Sequence, residues 1–190
     1  YPQTISYQQS WWKYNKILED YFARINFAMT QGKFSADVLV LHPVESGWCN
    51  YRLSDESATT KINEKFIAVM RNLSGNHYDF DLCDESLFAK YGKIEKDGIK
   101  LGQMKYKVFV IPEVQTLRTS TLKLLKKFIE NKGIVIGVNQ SPELVDAIKS
   151  DKAKELYKFV EIVSEPVKVS KVLDKKNIRA IVIKDKSKKE

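Results

Sequence analysis

The chain has 190 residues, 43% of them apolar and 29% charged, with 32 Lys and Arg against 24 Asp and Glu for a net charge of +8. That length fits one domain, or one domain with an attached element, and the composition excludes a disordered chain or a fibrous repeat. No apolar run approaches the roughly 18 residues of a membrane-spanning helix, and no charged and then apolar signal segment opens the sequence, so no membrane partner is expected.

In chain order, Trp12, Ile17, Leu18, Tyr21, Ile25, Ala28 and Met29 recur at spacings near three and four, which predicts an amphipathic helix over Ser10–Gln31 closed by Gly32. The run Ala36–Leu41 before His42-Pro43 is short, β-rich and apolar on both sides, as a strand of a buried parallel sheet is. Val44–Thr59 is polar and reads as a loop, and helical spacing returns over Ile62–Leu73. Tyr78–Cys83 alternates polar and apolar residues, the pattern of an edge strand or of one with a less covered face. A short helical turn follows at Leu87–Tyr91, and Lys93–Gln103 fits two extended arms around Asp97-Gly98. Tyr106–Pro112 predicts a third strong strand, Leu117–Asn131 a helix capped by Thr119 or Ser120, and Ile134–Val138 a fourth strand. Helices near Pro142–Ile148 and Lys152–Phe159 and a terminal strand at Arg179–Ile183 complete the reading. Alternation of strand and helix is the pattern of an open α/β sheet, mainly parallel, with right-handed crossovers.

Such a sheet invites a nucleotide or flavin, but the loop after the first strand, His42–Trp48, holds one glycine, and neither G-x-G-x-x-G nor G-x-x-x-x-G-K-[ST] occurs. No cofactor is therefore expected. His42 and His77 stand 35 residues apart with no ligand partner at metal spacing, so no metal is expected either. Neither Cys49 nor Cys83 has a nucleophile-elbow context, and the two can pair only if their Cα atoms lie within about 7 Å. Residues 121–190 carry 17 Lys and Arg against 10 acids, while 1–120 carry 15 against 14. The C-terminal excess is nearly all Lys without interleaved Arg and aromatics, a solvated face rather than a nucleic-acid surface.

Carboxylates remain, because two of them about 5 to 9 Å apart can hydrolyse a glycosidic bond. Glu45, Asp81, Asp84, Glu85 and Glu113 all fall at or just after strand ends, where helix caps and solvated loop residues also gather. Trp48, after Gly47 in a polar stretch, is the aromatic best placed to cover a sugar face.

The runs Gln8-Gln9-Ser10-Trp11-Trp12-Lys13-Tyr14, Asp20–Arg24 and Ala36–Trp48, with His77–Asp81, Tyr106–Pro112 and Gly133–Ile136 further on, resemble the large bacterial glycoside hydrolases of the α-L-rhamnosidase type, family 106. They resemble more loosely the middle domain of family 42 β-galactosidases. The likeness covers roughly residues 5–140 and departs from the usual pattern at Ser10 and Glu113. It implies a catalytic (β/α)₈ barrel followed by a flavodoxin-like, three-layer α/β/α domain related in fold to class I glutamine amidotransferases but without their nucleophile. On that likeness, residues 1–35 are a helix leaving an upstream barrel, and 36–190 are an accessory domain that packs on the barrel of the same polypeptide and does not hydrolyse sugars alone. A start at Tyr1-Pro2-Gln3 without an initiator Met suits a piece of a longer protein. Glu45, as acceptor of sugar hydroxyls, and Trp48, as a stacking surface, are then the expected carbohydrate contacts. A stand-alone flavodoxin-like domain for a small molecule or nucleotide is the alternative, and the apolar first helix is also able to pair with a second copy of the chain.

Overall fold

The computed structural model describes residues 6–32 and 34–178 and divides into two units, the first up to Ser35 and the second from Ala36 onward. The strand expected at Arg179–Ile183 lies outside the described residues.

In the first unit a 3₁₀ turn, Trp12–Tyr14, leads into helix α1, Asn15–Thr30, somewhat shorter than the spacing predicts. Its last turn closes on the Phe27 carbonyl, which accepts from Thr30 Oγ1 at 2.7 Å and Gln31 Nε2 at 3.1 Å, and Gly32 follows at φ 102°, a conformation open to glycine. Local pairs brace the polar side, with Lys16 Nζ 2.6 Å from Asp20.

The second unit begins with β1, Val38–Leu41, and continues with α2, Val44–Asn50, and α3, Ser57–Gly75. The expected loop over Val44–Thr59 is thus corrected to a short helix and the start of a longer one. Pro43 stands at the N-cap of α2 and Glu45 in its first turn faces the positive end of the helix dipole. The polar Ser46-Gly47 pair hid that helix from a periodicity reading, because Ser46 is buried for its hydrogen bonds, not for hydrophobicity. After β2, Phe80–Cys83, comes α4, Glu85–Tyr91, capped by Asp84, whose Oδ1 accepts from Ser86 N at 2.8 Å and Leu87 N at 3.0 Å.

An antiparallel three-stranded sheet follows, with β3 at Lys93–Glu95, β4 at Gly98–Leu101 and β5 at Met104–Tyr106. The turn expected at Asp97-Gly98 falls one residue earlier, at Lys96-Asp97, and Gly98 opens β4, where a Cβ would lie 2.5 Å from the Tyr106 carbonyl oxygen, so the close approach requires glycine. The single strand expected over Tyr106–Pro112 is two: Tyr106 ends β5, and β6 is Val108–Ile111. Next come β7, Thr116–Leu117, and α5, Thr119–Glu130. Arg118, not Thr119 or Ser120, holds the N-cap of α5, because distant carboxylates take over the capping: Asp146 accepts from Thr119 N at 2.9 Å and Glu85 from Arg118 N at 2.8 Å.

β8, Ile134–Val138, lies where expected. The helix expected near Pro142–Ile148 is instead a hairpin of β9, Leu144–Val145, and β10, Ile148–Lys149, with Asp146 at φ 52° and Ala147 at φ 62°. Two consecutive left-handed residues make a tight hairpin turn and cannot belong to a right-handed helix. The described chain ends with α6, Lys152–Tyr157, β11, Glu161–Val163, a 3₁₀ turn at Pro166–Lys168, and α7, Val169–Lys175.

Five strands form the main sheet in the order β11-β8-β6-β1-β2, and every pairing in it is parallel. β2 occupies the edge, as its alternation predicts. Successive residues of β1 and β6 face opposite ways, and both faces are covered. Leu39, Leu41, Phe109 and Ile111 pack with Phe88 of α4, Leu125 of α5 and Leu156 of α6. Val38, Val40, Val108 and Val110 pack with Phe66 and Val69 of α3 and Leu173 of α7. Read in chain order, the five strands run 2-1-3-4-5, so the direction of winding reverses between β1 and β6, and a crevice opens beyond the C-terminal ends of those two strands.

Candidate functional site

Side chains gather at that C-terminal end from three places: α2 after β1, the Pro112–Gln115 segment after β6, and the 139–143 segment after β8. They frame two cavities. The larger, about 480 Å³, lies between α2 and α3 and is lined by Trp48, Tyr51, Thr59 and Phe66, with His42 and Pro43 at the strand end. The His42 and Phe66 rings stand 5.1 Å apart. Trp48 is 67% exposed, and Thr59 Oγ1 is buried with no hydrogen-bond partner. The second cavity, about 370 Å³, is more polar and is lined by Asn50, Lys61, Lys65, Glu113, Gln115 and Gln140, among others.

Trp48 therefore reaches a cavity, whereas Glu45 turns away from it. Glu45 Oε1 accepts from Arg118 Nε at 2.7 Å, and its Oε2 is buried without a hydrogen-bond partner. Both residues are on α2, but the structure does not bring them to one pocket. The other carboxylates flagged by position are likewise engaged. Asp81 accepts from the Tyr106 hydroxyl at 2.7 Å, and Asp84 caps α4 and is held below its ordinary pKa, first by the Ser86 hydroxyl. Glu113 pairs with Lys65 and accepts from Asn139 Nδ2 at 3.1 Å.

Glu85 is the exceptional one. It is 1% exposed, and burial pushes its carboxyl up from 4.5 to about 7, with Glu45 adding to the rise and the Arg118 backbone N–H and guanidinium opposing it. The adjacent Cys83 thiol is raised by the same burial and is inert at neutral pH. Cys49 and Cys83 are both free thiols. Among the described residues no three His, Cys, Asp or Glu side chains converge as metal ligands do.

Tyr51, Thr59, Asn50 and Gln115 are site residues that the sequence reading misses. The first has a signal: once 44–50 is a helix, Val44, Gly47, Trp48 and Tyr51 fall on one face at spacings of three and four. Gln115 has none, because its place depends on pairing across 65 residues with Asn50.

Two comparisons bear on this arrangement. The sequence profile of the α-L-rhamnosidases of glycoside hydrolase family 106 matches residues 1–186. A protein of Formosa agariphila named "Putative beta-glucuronidase" is 30% identical over 141 residues, which cover 71% of this chain and 10% of that protein. The chain thus spans about a tenth of the length of this curated relative. Both are named for carbohydrate-degrading enzymes. The chain belongs to the α-L-rhamnosidase family, glycoside hydrolase family 106.

Proposed function

We propose that the chain is a flavodoxin-like accessory domain of a multidomain glycoside hydrolase, non-catalytic in itself, that lends the Trp48 cavity to carbohydrate binding. The observation that carries this reading is the division of labour at the sheet's C-terminal end. An open cavity offers an indole and a phenol ring, while Glu45, Asp81, Asp84, Glu85 and Glu113 are each committed to a structural bond. Aromatic faces stack on the apolar side of a sugar ring, whereas hydrolysis needs two carboxyl groups open to the same bond. The 2-1-3-4-5 strand order is the one seen in flavodoxin-like sheets, and helices on both sides supply three layers.

α1 extends the same reading. Ile17, Leu18, Tyr21, Phe22, Ile25 and Phe27 make it apolar on several sides, and a helix of that kind belongs among neighbours. The catalytic barrel of the same polypeptide is the partner we assign to it.

Purified chain titrated with methyl α-L-rhamnopyranoside and with glucuronate tests the cavity, with Trp fluorescence as the signal. Saturable quenching at millimolar or lower concentration, lost in Trp48→Ala, is expected. Hydrolysis of an aryl α-L-rhamnoside by the chain, abolished by Glu45→Gln, would overturn the non-catalytic assignment. The crevice at the winding reversal also suits a stand-alone small-molecule binder, and that reading predicts a co-purifying chromophore released on denaturation.

A further inference from the structure

The walls of the second cavity come from the segments after β6 and β8, from Asn50 at the end of α2 and from the first turns of α3. Ile62 lines both cavities, so they stand side by side along the first turns of α3.

At its floor two amides are fixed before any ligand arrives. Asn50 Nδ2 donates to the Ser46 carbonyl at 2.7 Å and also to Gln115 Oε1. A carbonyl cannot donate, so the Asn50 amide must present its nitrogen to Ser46; both N–H groups are then used and Oδ1 is left as an acceptor. Gln115 receives on Oε1, which leaves Nε2 as a donor. The backbone is pinned as well, because Ser46 Oγ accepts from Gln115 N at 2.9 Å and Thr116 N at 3.3 Å, tying α2 to the segment after β6.

An acceptor and a donor on adjacent, preorganised amides are the complement of two neighbouring hydroxyls, one giving and one receiving. Lys65 retains two N–H donors after pairing with Glu113. Lys61 and Lys65 are offset by Glu113 and Glu143 on the same walls, so the cavity carries no net charge to attract a phosphate or another anion. A neutral polyol fits it better.

We propose that this cavity is a hydroxyl-binding subsite for the sugar ring next to the one on Trp48, so that the crevice takes an oligosaccharide of at least two rings. The assignment rests on the sugar-binding reading of the Trp48 cavity. Asn50 Oδ1 and Gln115 Nε2 grip a vicinal diol, and Lys65 and Glu113 bound its far side.

The test compares methyl α-L-rhamnopyranoside with a methyl rhamnosyl-rhamnoside on the full chain, reading Trp fluorescence and the side-chain amide NMR signals of Asn50 and Gln115. The two-ring ligand is expected to bind about tenfold tighter, the worth of two net hydrogen bonds. Gln115→Glu keeps an acceptor toward Asn50 but loses one of the two hydrogen bonds, and it should cut that gain to about threefold. Gln115 is exposed, so the fold should tolerate the change. Equal affinity for one and two rings, or an undiminished gain in Gln115→Glu, would overturn the subsite. Ligands that quench Trp48 without moving the amide signals sink the subsite and spare the Trp48 reading. Ligands that move the amide signals alone sink the Trp48 reading and with it the two-ring assignment, and ligands that do neither sink both.

Discussion

Helix α1 and the sheet unit are built from similar apolar side chains and meet opposite fates. Val38–Leu41 and Val108–Ile111 are at most 1% exposed, whereas Ile17 is 70% and Phe27 69% exposed, and no residue of α1 is buried. The difference lies in the partner surface, not in hydrophobicity. β1 and β6 each have a paired strand on both sides and helices on both faces, so burial is collective. A 16-residue helix braced by local pairs such as Lys16–Asp20 is of a length that is marginal in isolation, and most helical stability comes from packing. Apolar content alone therefore does not say where a core is.

The strongest test of that contrast is Phe109→Ala. Phe109 is fully buried in β6, near the centre of the sheet, and its ring stacks on Phe88 with centroids 5.4 Å apart. Removing it leaves a cavity between the sheet and α4, and urea unfolding should show a loss of about 3 to 5 kcal/mol. A loss below about 1 kcal/mol would mean that the sheet is not the cooperative core described here.

Charge inside the sheet unit gives the next largest effect. Glu85 has its folded-state pKa raised from 4.5 to about 7, mainly by burial. Its native form therefore keeps a proton that the unfolded chain releases between those two values. The stabilising contribution is complete below pH 4.5 and is lost as pH rises through about 7. Wild type should thus lose about 3 kcal/mol more than Glu85→Gln between pH 4.5 and 8. The substituted amide would keep an oxygen for the Arg118 N–H and cannot ionise. Parallel stability–pH curves for the two proteins would refute the raised pKa.

At about 1 kcal/mol, Asp84→Ala should show in the same unfolding curves as the loss of the α4 cap. Asp84 accepts from two backbone N–H groups of the first turn, and alanine leaves both without that acceptor. Asn at the same position should recover most of the stability, and failure of Asn to do so would point to the Asp84 charge instead of the cap.

Sheet and site were unequally legible in the sequence, for physical reasons. β1, β6 and β8 announce themselves because a strand buried on both faces is a continuous apolar run, and β2 because an edge strand alternates. α2 escaped because its one buried residue is Ser46, a position used for hydrogen bonding. The β9–β10 hairpin escaped because the left-handed pair Asp146-Ala147 carries no glycine or asparagine to signal it. In the site, Trp48 could be singled out from its loop-like surroundings, but the turning of Glu45 toward Arg118 depends on a contact across 73 residues. Local pattern reports local structure well; a polar contact between distant segments leaves no period to read.

Phe27→Ala sharpens the opening contrast most closely, because it repeats the Phe109 substitution in the other region. Phe27 is 69% exposed in α1, so little apolar area returns to water when its ring is removed. Alanine also favours the helix over phenylalanine by a few tenths of a kcal/mol. The two terms oppose, and the change in unfolding free energy of the chain should stay within about 0.5 kcal/mol, against several for Phe109. A loss above about 2 kcal/mol would require the Phe27 ring to be buried in solution, and the contrast between a buried sheet core and an exposed helix would then fail.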